Sequence, residues 1–356
     1  MSTDVESIAG AFEALVRRED AAARREEARE GWSPALWRTA AQSGFAAIAV
    51  ADGQGGSGAS LADLGAVVER AAYRATAVPL ARANVGALGV ARLSGRIDPT
   101  RTVIAVDLSR RLPASATSAE APCLDRALRR LSWAEQSDEL LALLPGEAGT
   151  GWVARIPKSA LQLEPSCNIA GEPCADAVLR HPQRMQAAPG GTVRQLCDLL
   201  AVTRASAIAG AVRRVLELSF EYANDRQQFG RAIYGFQTVQ HELAELATSV
   251  EQLCALLREA YQRVDGGEDG HLWALAAATC AGSAASRAIR SGHQLHGAIG
   301  ITMEYELQRY TRRLMAWRDE DGSETRAARE LGTRLRSAAV DRVWQVSTAF
   351  VHGMNS

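Results

Sequence analysis

The sequence predicts a multi-domain α+β protein whose chain runs from helices through a small β domain and back to helices. Apolar residues recur at helical spacing at both ends of the chain, and short β-branched runs divided by prolines fill its middle. The chain is also long enough for several domains, because 356 residues that are 47% hydrophobic can bury the cores of two or three. We place the domains at 1–100, 101–188 and 189–356, and the middle one is short.

The N-terminal domain is predicted to be helical. Apolar residues from Ile8 to Val16 follow helical spacing, and a second short helix begins near Ala35. Ser60 followed by Asp63 is typical of a capping box at the start of a third helix. The glycines and serines of "GFAAIAVADGQGGSGAS", between the second and third helices, indicate an irregular loop.

Four short runs, TVIAVDL, ELLALLP, GWVARIP and ADAVLRHP, characterise the middle domain. Six prolines from Pro113 to Pro173 interrupt this zone, and proline is rare inside central strands. The pattern predicts short antiparallel strands.

Helical periodicity returns at about Thr192 and continues to the end of the chain. The third helix of this zone is predicted from His271 to His296, and its alanines and serines permit close helix contacts. A fourth helix is predicted from Glu304 to Trp317 and a last one from Ser323 to His352.

Charge and cysteine content exclude several kinds of partner. Forty basic residues against 41 acidic ones give a net charge of −1, which favours neither nucleic acid nor an anionic membrane. No apolar run reaches the roughly 18 residues that span a bilayer, and the N-terminus lacks a signal-peptide core, so we expect a cytoplasmic protein. The six cysteines form no CxxC pair, so we predict buried reduced thiols and no metal site.

A polar break, "DRQQFG", separates two predicted helices in the C-terminal domain. Gly230 can end the first helix in the left-handed conformation, with Arg226 beside the negative end of the helix dipole. Alternatively, Arg226 offers a guanidinium to phosphate oxygens. A second segment has Gly297 and Gly300 between two helices. Such a turn either joins the helices or lets a pyrophosphate approach the backbone.

The two segments together resemble the acyl-CoA dehydrogenase family. The matching positions are Tyr222, Arg226, Gln228, Phe229, Gly230, Ile233, Phe236, Gln237, Gln240, Leu243, Ala244, Gln294, Gly297, Gly300, Glu304, Tyr305 and Arg309. The order of helical, β and helical zones is similar as well. The resemblance implies the acyl-CoA dehydrogenase fold, with a small β-barrel-like middle domain and a C-terminal four-helix bundle, assembled as a dimer or a dimer of dimers.

The resemblance also implies FAD, bound across a subunit interface. In the family, the arginine of the R-x-Q-F-G motif reaches the diphosphate of the flavin held mainly by the neighbouring subunit, a role that falls here to Arg226. Phe229 would pack near the adenine. Ala298 stands where the family usually has glycine, so the backbone there approaches the cofactor less closely. The implied cofactor contacts are Arg226, Gln228, Phe229, Phe236, Gln237, Gln294, Gly297, Ala298 and Ser323.

The family's reaction is α,β-desaturation of an acyl-CoA thioester, in which a carboxylate removes the α-proton and hydride passes to the flavin. Counting from Gln294 without a gap places this base at Asp321, with Glu320 beside it. Common members have a glutamate there, one methylene longer. A second base position used by some members falls near Leu200, where no carboxylate occurs. The alternative is a solvated acidic loop, because "DEDGSE" is also a good N-cap sequence.

The middle domain departs from the family pattern, since neither the T-E-P-x-x-G-S-D segment that packs on the flavin ring nor the N-G-x-K segment occurs.

Three functions therefore stay open. The chain is a FAD-dependent acyl-CoA dehydrogenase with Asp321 as its base, or a non-catalytic partner that completes the FAD site of another chain in a heterotetramer, or a flavin-free helical scaffold. The retained "RQQFG" disfavours the scaffold. The sequence sets neither the acyl group, nor the electron acceptor, nor the choice between homo- and hetero-oligomer.

Overall fold

The computed structural model confirms the order of helices, strands and helices. It describes residues 3–109, 122–125, 127–146, 149–265, 268–320 and 324–337. The N-terminal helices are α1 (Thr3–Glu30), α2 (Pro34–Gln42), α3 (Leu61–Tyr73) and α4 (Leu80–Ser94). Turns and one short 3-10 helix form the predicted loop between α2 and α3.

The predicted capping box begins α3. Ser60 Oγ accepts a hydrogen bond from the Asp63 backbone N–H at 3.1 Å, and Asp63 Oδ2 accepts one from the Ser60 N–H at 2.8 Å. The box thereby satisfies two backbone donors at the start of the helix. This reciprocal pair fixes where α3 begins.

The described residues of the middle zone form three small sheets. Its strands are β1 (Val103–Asp107), β2 (Cys123–Leu124), β3 (Leu128–Ser132), β4 (Glu139–Pro145), β5 (Gly151–Pro157), β6 (Leu161–Cys167), β7 (Pro173–Leu179), β8 (Gln183–Arg184) and β9 (Gln186–Ala187). They pair in the orders β1-β4-β5-β9, β3-β7-β6 and β2-β8. The antiparallel prediction was wrong for β1, which pairs with β4 in parallel. The long connection between these two strands lets the chain return to the same end of the sheet, and a strand's own pattern does not reveal its direction.

Among the described residues, the C-terminal zone has the helices α5 (Thr192–Asp225), α6 (Gln237–Arg263), α7 (Glu268–His296), α8 (Leu307–Asp319) and α9 (Glu324–Ser337). A hairpin of β10 (Gln227–Gln228) and β11 (Arg231–Ala232) lies between α5 and α6. Helix α8 begins three residues later than predicted, because the residues before it form turns. The predicted end of the last helix, His352, lies outside the described residues.

Helix α5 runs through the core of the bundle. At Gly210 it approaches α3 so closely that a Cβ atom would lie 2.0 Å from the Glu69 carbonyl oxygen, which leaves room for glycine alone. Within the part of the chain described here, only α5 is long and apolar enough to cross a membrane by length and composition. Since 78% of that apolar window is buried inside the protein, its side chains belong to the core.

The cysteines are free thiols, but the prediction that they are buried was wrong for two of them. Cys123 and Cys167 are exposed, because Cys123 lies on the two-residue strand β2 and Cys167 ends the edge strand β6. The remaining four are buried or half-buried: Cys174, Cys197, Cys254 and Cys280. Over the described ranges, no cluster of side chains could hold a metal ion.

A buried ion cluster joins the three zones. Arg313 on α8 is 2% exposed; its guanidinium contacts Glu27 of α1, and its Nε donates to Glu172 Oε1 at 3.1 Å, in the turn before β7. Glu27 also accepts from Arg309 at 2.8 Å, and Glu172 accepts from the Trp317 indole at 3.0 Å. Every charge in the cluster therefore has a partner taken from another zone.

Replacing Arg313 with methionine should destabilise the whole chain. The change leaves the carboxylates of Glu27 and Glu172 without their shared cation, which typically costs about 3–5 kcal/mol for a buried pair. Urea unfolding followed by circular dichroism measures the loss. Arg318→Met is the control, because Arg318 makes a surface pair with Asp319 and should cost about 1 kcal/mol or less. Equal losses in the two variants would contradict the assignment.

A second buried cluster holds α9 against the bundle. The ring nitrogens of His271 on α7 contact Asp198 Oδ1 on α5 at 2.6 Å and Glu330 Oε1 on α9 at 3.1 Å. Burial disfavours the imidazolium, but the hydrogen bonds to the two carboxylates outweigh burial and raise the pKa of His271. The bond to His271 lowers the pKa of Glu330 from 4.5 to about 2. Arg194 and Arg334 are the nearby cations.

The attachment of α9 should depend on pH. The raised pKa of His271 gives stabilisation that is complete below its ordinary value of 6.5 and is lost as pH rises through the folded-state value. The lowered pKa of Glu330 gives stabilisation that is present above 4.5 and is lost as pH falls towards 2. Hydrogen exchange of the α9 amides, corrected for intrinsic rates, should therefore be slowest between these limits. Burial also raises the pKa of Asp198, which adds to the loss of stability as pH rises. His271→Gln should therefore weaken the dependence above 6.5, and an unchanged dependence in this variant would contradict the prediction.

Candidate functional site

The "DRQQFG" break forms a β-hairpin at the end of α5. The Arg226 N–H donates to the Tyr222 carbonyl at 2.9 Å, and the Arg226 carbonyl accepts from the Ile233 N–H at 2.8 Å. The turn residues Phe229 and Gly230 have φ angles of 51° and 79°. Two consecutive left-handed residues are what a tight two-residue hairpin turn requires, because they match the twist of its strands.

The interpretation of Gly230 as the cap of α5 is therefore wrong. The helix ends at Asp225, four residues before the left-handed pair begins, and Arg226 leaves it with an extended backbone. The antiparallel pairing of Gln227 and Gln228 with the opposite strand satisfies the backbone that a helix cap would otherwise serve. Gly230 thus forms the turn of a hairpin, β10 and β11, and this hairpin is the projection from the bundle described below.

Most side chains of this projection point into solvent. The Arg226 guanidinium is exposed and makes no hydrogen bond or ion pair with any described residue. Phe229 is 91% exposed, and its ring meets that of Phe236 edge-on at 6.0 Å. The Arg231 guanidinium lies 4.2 Å above the Phe236 ring. Gln228 and Gln237 are exposed as well. The projection thus offers a free cation and an uncovered aromatic ring.

The second segment, which contains Gly297 and Gly300, lies beside the hairpin; the two together form what we call the end of the bundle. His296, the last residue of α7, stacks on Tyr222 with ring centroids 4.5 Å apart. Its Nδ1 donates to the Gly292 carbonyl at 2.9 Å and its Nε2 accepts from the Tyr305 hydroxyl at 3.2 Å. Burial lowers the pKa of His296, which keeps the ring neutral. Sequence reasoning did not select His296, although its position next to Gly297 was a signal.

The predicted contacts of this second segment are accessible. Gln294, Gly297 and Ala298 are all exposed, and Gly297 turns the chain with a φ of 62°. Three large apolar side chains follow or adjoin this turn without cover from the described chain: Ile299, Ile301 and Met303. Apolar exposure of this kind indicates a surface that contacts another molecule.

A groove adjoins the hairpin and was not predicted. Its volume is about 620 Å³, and Phe220 and Tyr234 form one wall with ring centroids 5.3 Å apart. Gln240, Leu243 and Ala244 line it as well, and all three belong to the matching positions of the sequence. Phe220 carried a signal that went unused, because it is a large aromatic residue on a predicted helix just before the break.

A smaller cleft lies where α3, α4, α5 and α8 meet β3. Glu320 faces it: its Oε1 pairs with Arg82 Nη2 at 2.8 Å and also accepts from the Ser132 hydroxyl. The Glu320 carbonyl accepts from Arg204 at 2.6 Å. Leu200, the second base position, lines the same cleft. The Arg82–Glu320 ion pair thus lies in the lining of the cleft.

The predicted base Asp321 and the predicted cofactor contact Ser323 lie outside the described residues. Their described neighbour Glu320 lines the cleft.

The cleft and the end of the bundle differ in how well they suit FAD. The cleft has a volume of about 90 Å³, with Trp133 and Trp317 among its lining residues. Cofactor pockets usually measure roughly 300–1,000 Å³, so an isoalloxazine ring does not fit in the cleft as it stands. The end of the bundle does fit the diphosphate and adenine half, because Arg226 is free for phosphate oxygens and aromatic rings stand uncovered beside it.

Family models match both helical zones of the chain. The model for the acyl-CoA dehydrogenase N-terminal domain matches residues 2–94, and the model for the acyl-CoA dehydrogenase C-terminal domain matches residues 193–335. Among relatives, the acyl-CoA dehydrogenase IpdE2 of Mycolicibacterium smegmatis is 26% identical over 291 residues, which cover 81% of this chain and 83% of the relative.

Solved structures share the whole architecture. A variant of the Tcur3481–Tcur3483 steroid ACAD gives a TM-score of 0.84 at 21% identity, covering 95% of this chain and 99% of that chain. A chain of the ChsE4–ChsE5 complex from Mycobacterium tuberculosis gives 0.81 at 19% identity, covering 95% and 98%. The predicted fold is confirmed by these similarities.

Phe229→Gly should stabilise the hairpin. A left-handed conformation costs a non-glycine residue about 1–2 kcal/mol, and glycine's greater backbone freedom cancels part of the gain, so we expect an increase of about 0.5–1 kcal/mol. Thermal unfolding of the purified chain measures it. Arg231→Gly is the control, because Arg231 lies in a hairpin strand without a positive φ and should lose stability. A destabilised Phe229→Gly variant would mean that the ring packs more strongly than its exposure indicates.

Proposed function

Because the chain belongs to the acyl-CoA dehydrogenase family of FAD-dependent oxidoreductases, we propose that it is one subunit of a heteromeric acyl-CoA dehydrogenase. In this proposal a partner chain holds the flavin ring. The present chain completes the cofactor site with the end of its helix bundle, which reaches the diphosphate and adenine. The whole complex catalyses α,β-desaturation of an acyl-CoA thioester.

The proposal rests on the contrast between the cleft and the end of the bundle. The chain's own cleft measures about 90 Å³ and has the Arg82–Glu320 ion pair in its lining, whereas the Arg226 guanidinium has no partner in the described chain. Opening the cleft for a flavin ring would separate a half-buried ion pair and displace Trp133. An exposed guanidinium, in contrast, can bind a diphosphate without breaking any contact.

When bound, FAD supplies the hydride acceptor for the desaturation. We assign to Arg226 a charge-assisted contact with the diphosphate, and to Phe229 a packing contact with the adenine. Gln228, Gln237 and Gln294 then serve as hydrogen-bond donors and acceptors around the same half of the cofactor. These side chains are exposed, so a partner chain can bring a cofactor against them.

The remaining predicted contacts have different parts in this proposal. Phe236 holds Phe229 and Arg231 in place through its ring contacts. Gly297 and Ala298 bring the backbone of the turn close to the cofactor, with the Ala298 methyl group limiting the approach. Ser323 and Asp321 belong to the alternative of a self-contained dehydrogenase, with Asp321 as its base.

The relatives suggest a partner and a substrate class. One similar structure is named as a complex of ChsE4 with ChsE5, and another as a steroid ACAD. We extend the proposal to a complex of two different chains that acts in the cytoplasm on a bulky CoA ester derived from a steroid. The uncovered apolar residues around Met303 support a subunit contact at that end of the bundle.

Flavin stoichiometry tests the proposal. The chain purified alone should be colourless, and FAD should co-purify only when the chain is co-expressed with its partner dehydrogenase subunit. In that complex, Arg226→Ala should weaken FAD retention by roughly tenfold to a hundredfold, because a charge-assisted phosphate contact contributes about 1.5–3 kcal/mol. Equilibrium dialysis followed by absorbance measures the loss.

Arg258→Ala is the matched control, since Arg258 is another exposed arginine without a partner in the described chain, on the neighbouring helix α6. It should leave FAD retention unchanged. About one FAD per chain in the isolated protein would overturn the proposal in favour of a self-contained dehydrogenase. In that case Asp321→Asn should abolish turnover and leave FAD bound.

A further inference from the structure

Another cavity, separate from the groove and the cleft, lies between the N-terminal helices and the sheet β1-β4-β5-β9. Its volume is about 210 Å³, and it is formed by the C-terminal half of α4, the loop 95–102 and the start of β4. Its apolar walls consist of Ala46, Ala47, Ala87, Val90, Ile97, Pro99 and Val103. Three arginines and two carboxylates complete the lining: Arg96, Arg101, Arg155, Asp98 and Glu139.

The charges in this cavity do not balance. Arg155 and Glu139 form a two-point pair, with Arg155 Nη2 donating to Glu139 Oε2 at 2.9 Å. Arg101 lies farther from the same oxygen, at 3.5 Å. Arg96 makes no hydrogen bond or ion pair with any described residue. Three cations against two carboxylates leave one positive charge in excess.

The second carboxylate is engaged within its own turn. Asp98 Oδ1 accepts from the Thr100 N–H at 3.0 Å and from the Thr100 hydroxyl at 2.6 Å. The hydrogen bonds from Thr100 lower the pKa of Asp98, which keeps it charged but directed at its own loop. Arg96 is therefore the cation of this cavity without a carboxylate partner in the described chain, while Arg101 shares Glu139 with Arg155 at a longer distance.

The loop that carries these arginines is held in place. The Ile97 N–H donates to the Gln54 carbonyl at 2.9 Å, which ties the loop to the segment before α3. The Thr102 N–H donates to Asp138 Oδ2 at 2.8 Å, which ties it to the start of β4. The backbone that carries Arg96 and Arg101 is thus held in place before any ligand arrives, which lowers the entropic cost of ordering the loop on binding.

We propose that this cavity binds a small organic carboxylate, with the carboxylate between Arg96 and Arg101 and the hydrocarbon body against the apolar wall. Guanidinium groups bind carboxylates with two-point geometry. The volume equals that of about seven water molecules, which suits a body of a few carbon atoms. A bare phosphate ion would leave the apolar wall in contact with water, so the wall favours the carboxylate.

Titration of the full chain with hexanoate tests this site. We expect saturable heat by calorimetry, and no binding of 1-hexanol, which has the same body without the charge. Inorganic phosphate should bind at least about tenfold more weakly than hexanoate, because it makes no apolar contact. Arg96→Ala and Arg101→Ala should each weaken hexanoate binding at least about tenfold.

Arg258→Ala again serves as the control and should bind hexanoate like the unmodified chain, since Arg258 lies on α6, away from the cavity. Circular dichroism of each variant checks that it is folded. Absence of hexanoate binding would overturn the proposal, as would binding that both cavity variants retain. Phosphate binding as tight as that of hexanoate would overturn the assignment to a carboxylate. None of these outcomes depends on flavin, so they are independent of the proposed dehydrogenase role.

Discussion

The buried guanidinium of Arg313 holds the three zones of this chain in one arrangement. It reaches from α8 to Glu27 on α1 and to Glu172 before β7, so one side chain contacts all three zones. A charge removed from water is tolerated only while it stays paired, so the zones cannot move apart without leaving a carboxylate stranded. Trp317, which donates to Glu172, also lines the cleft that Glu320 faces. The cluster therefore fixes the shape of the cleft as well as the orientation of the zones.

This rigidity explains why the cleft and the end of the bundle differ so strongly. The cleft lies at the junction of the zones, where the Arg82–Glu320 pair and large indole rings fill the space. The end of the bundle lies outside the junction, and the side chains of Arg226, Gln228 and Gln237 are exposed there. A chain built in this way is suited to completing a site on another protein, and less suited to enclosing a flavin ring itself. That division of labour between two chains is our proposal.

The proposed contact surface is shaped by structure that is stable without a partner. The neutral His296 ring stacks on Tyr222 and accepts from Tyr305, which joins α7 to the end of α5. The hairpin then carries Arg226 and Phe229 beyond this support. The positive φ of Phe229 is unfavourable for an aromatic residue, yet its ring is almost fully exposed. A strained residue with an uncovered ring is explained more readily by what it binds than by what it stabilises.

The sequence by itself determined the helical and β zones, the capping box at Ser60, and the family, because periodicity, capping and motif spacing are local properties of the chain. It also selected Arg226 and the segment after Gln294. It did not reveal the hairpin, the parallel pairing of β1 with β4, or the contacts of Glu320, since each depends on residues distant in the chain. Only the tertiary structure showed which cations are already paired: Arg82 and Arg313 have carboxylate partners, whereas Arg226 and Arg96 have none in the described chain. A guanidinium is identical in all four positions, and what distinguishes them is the position of the carboxylates around it.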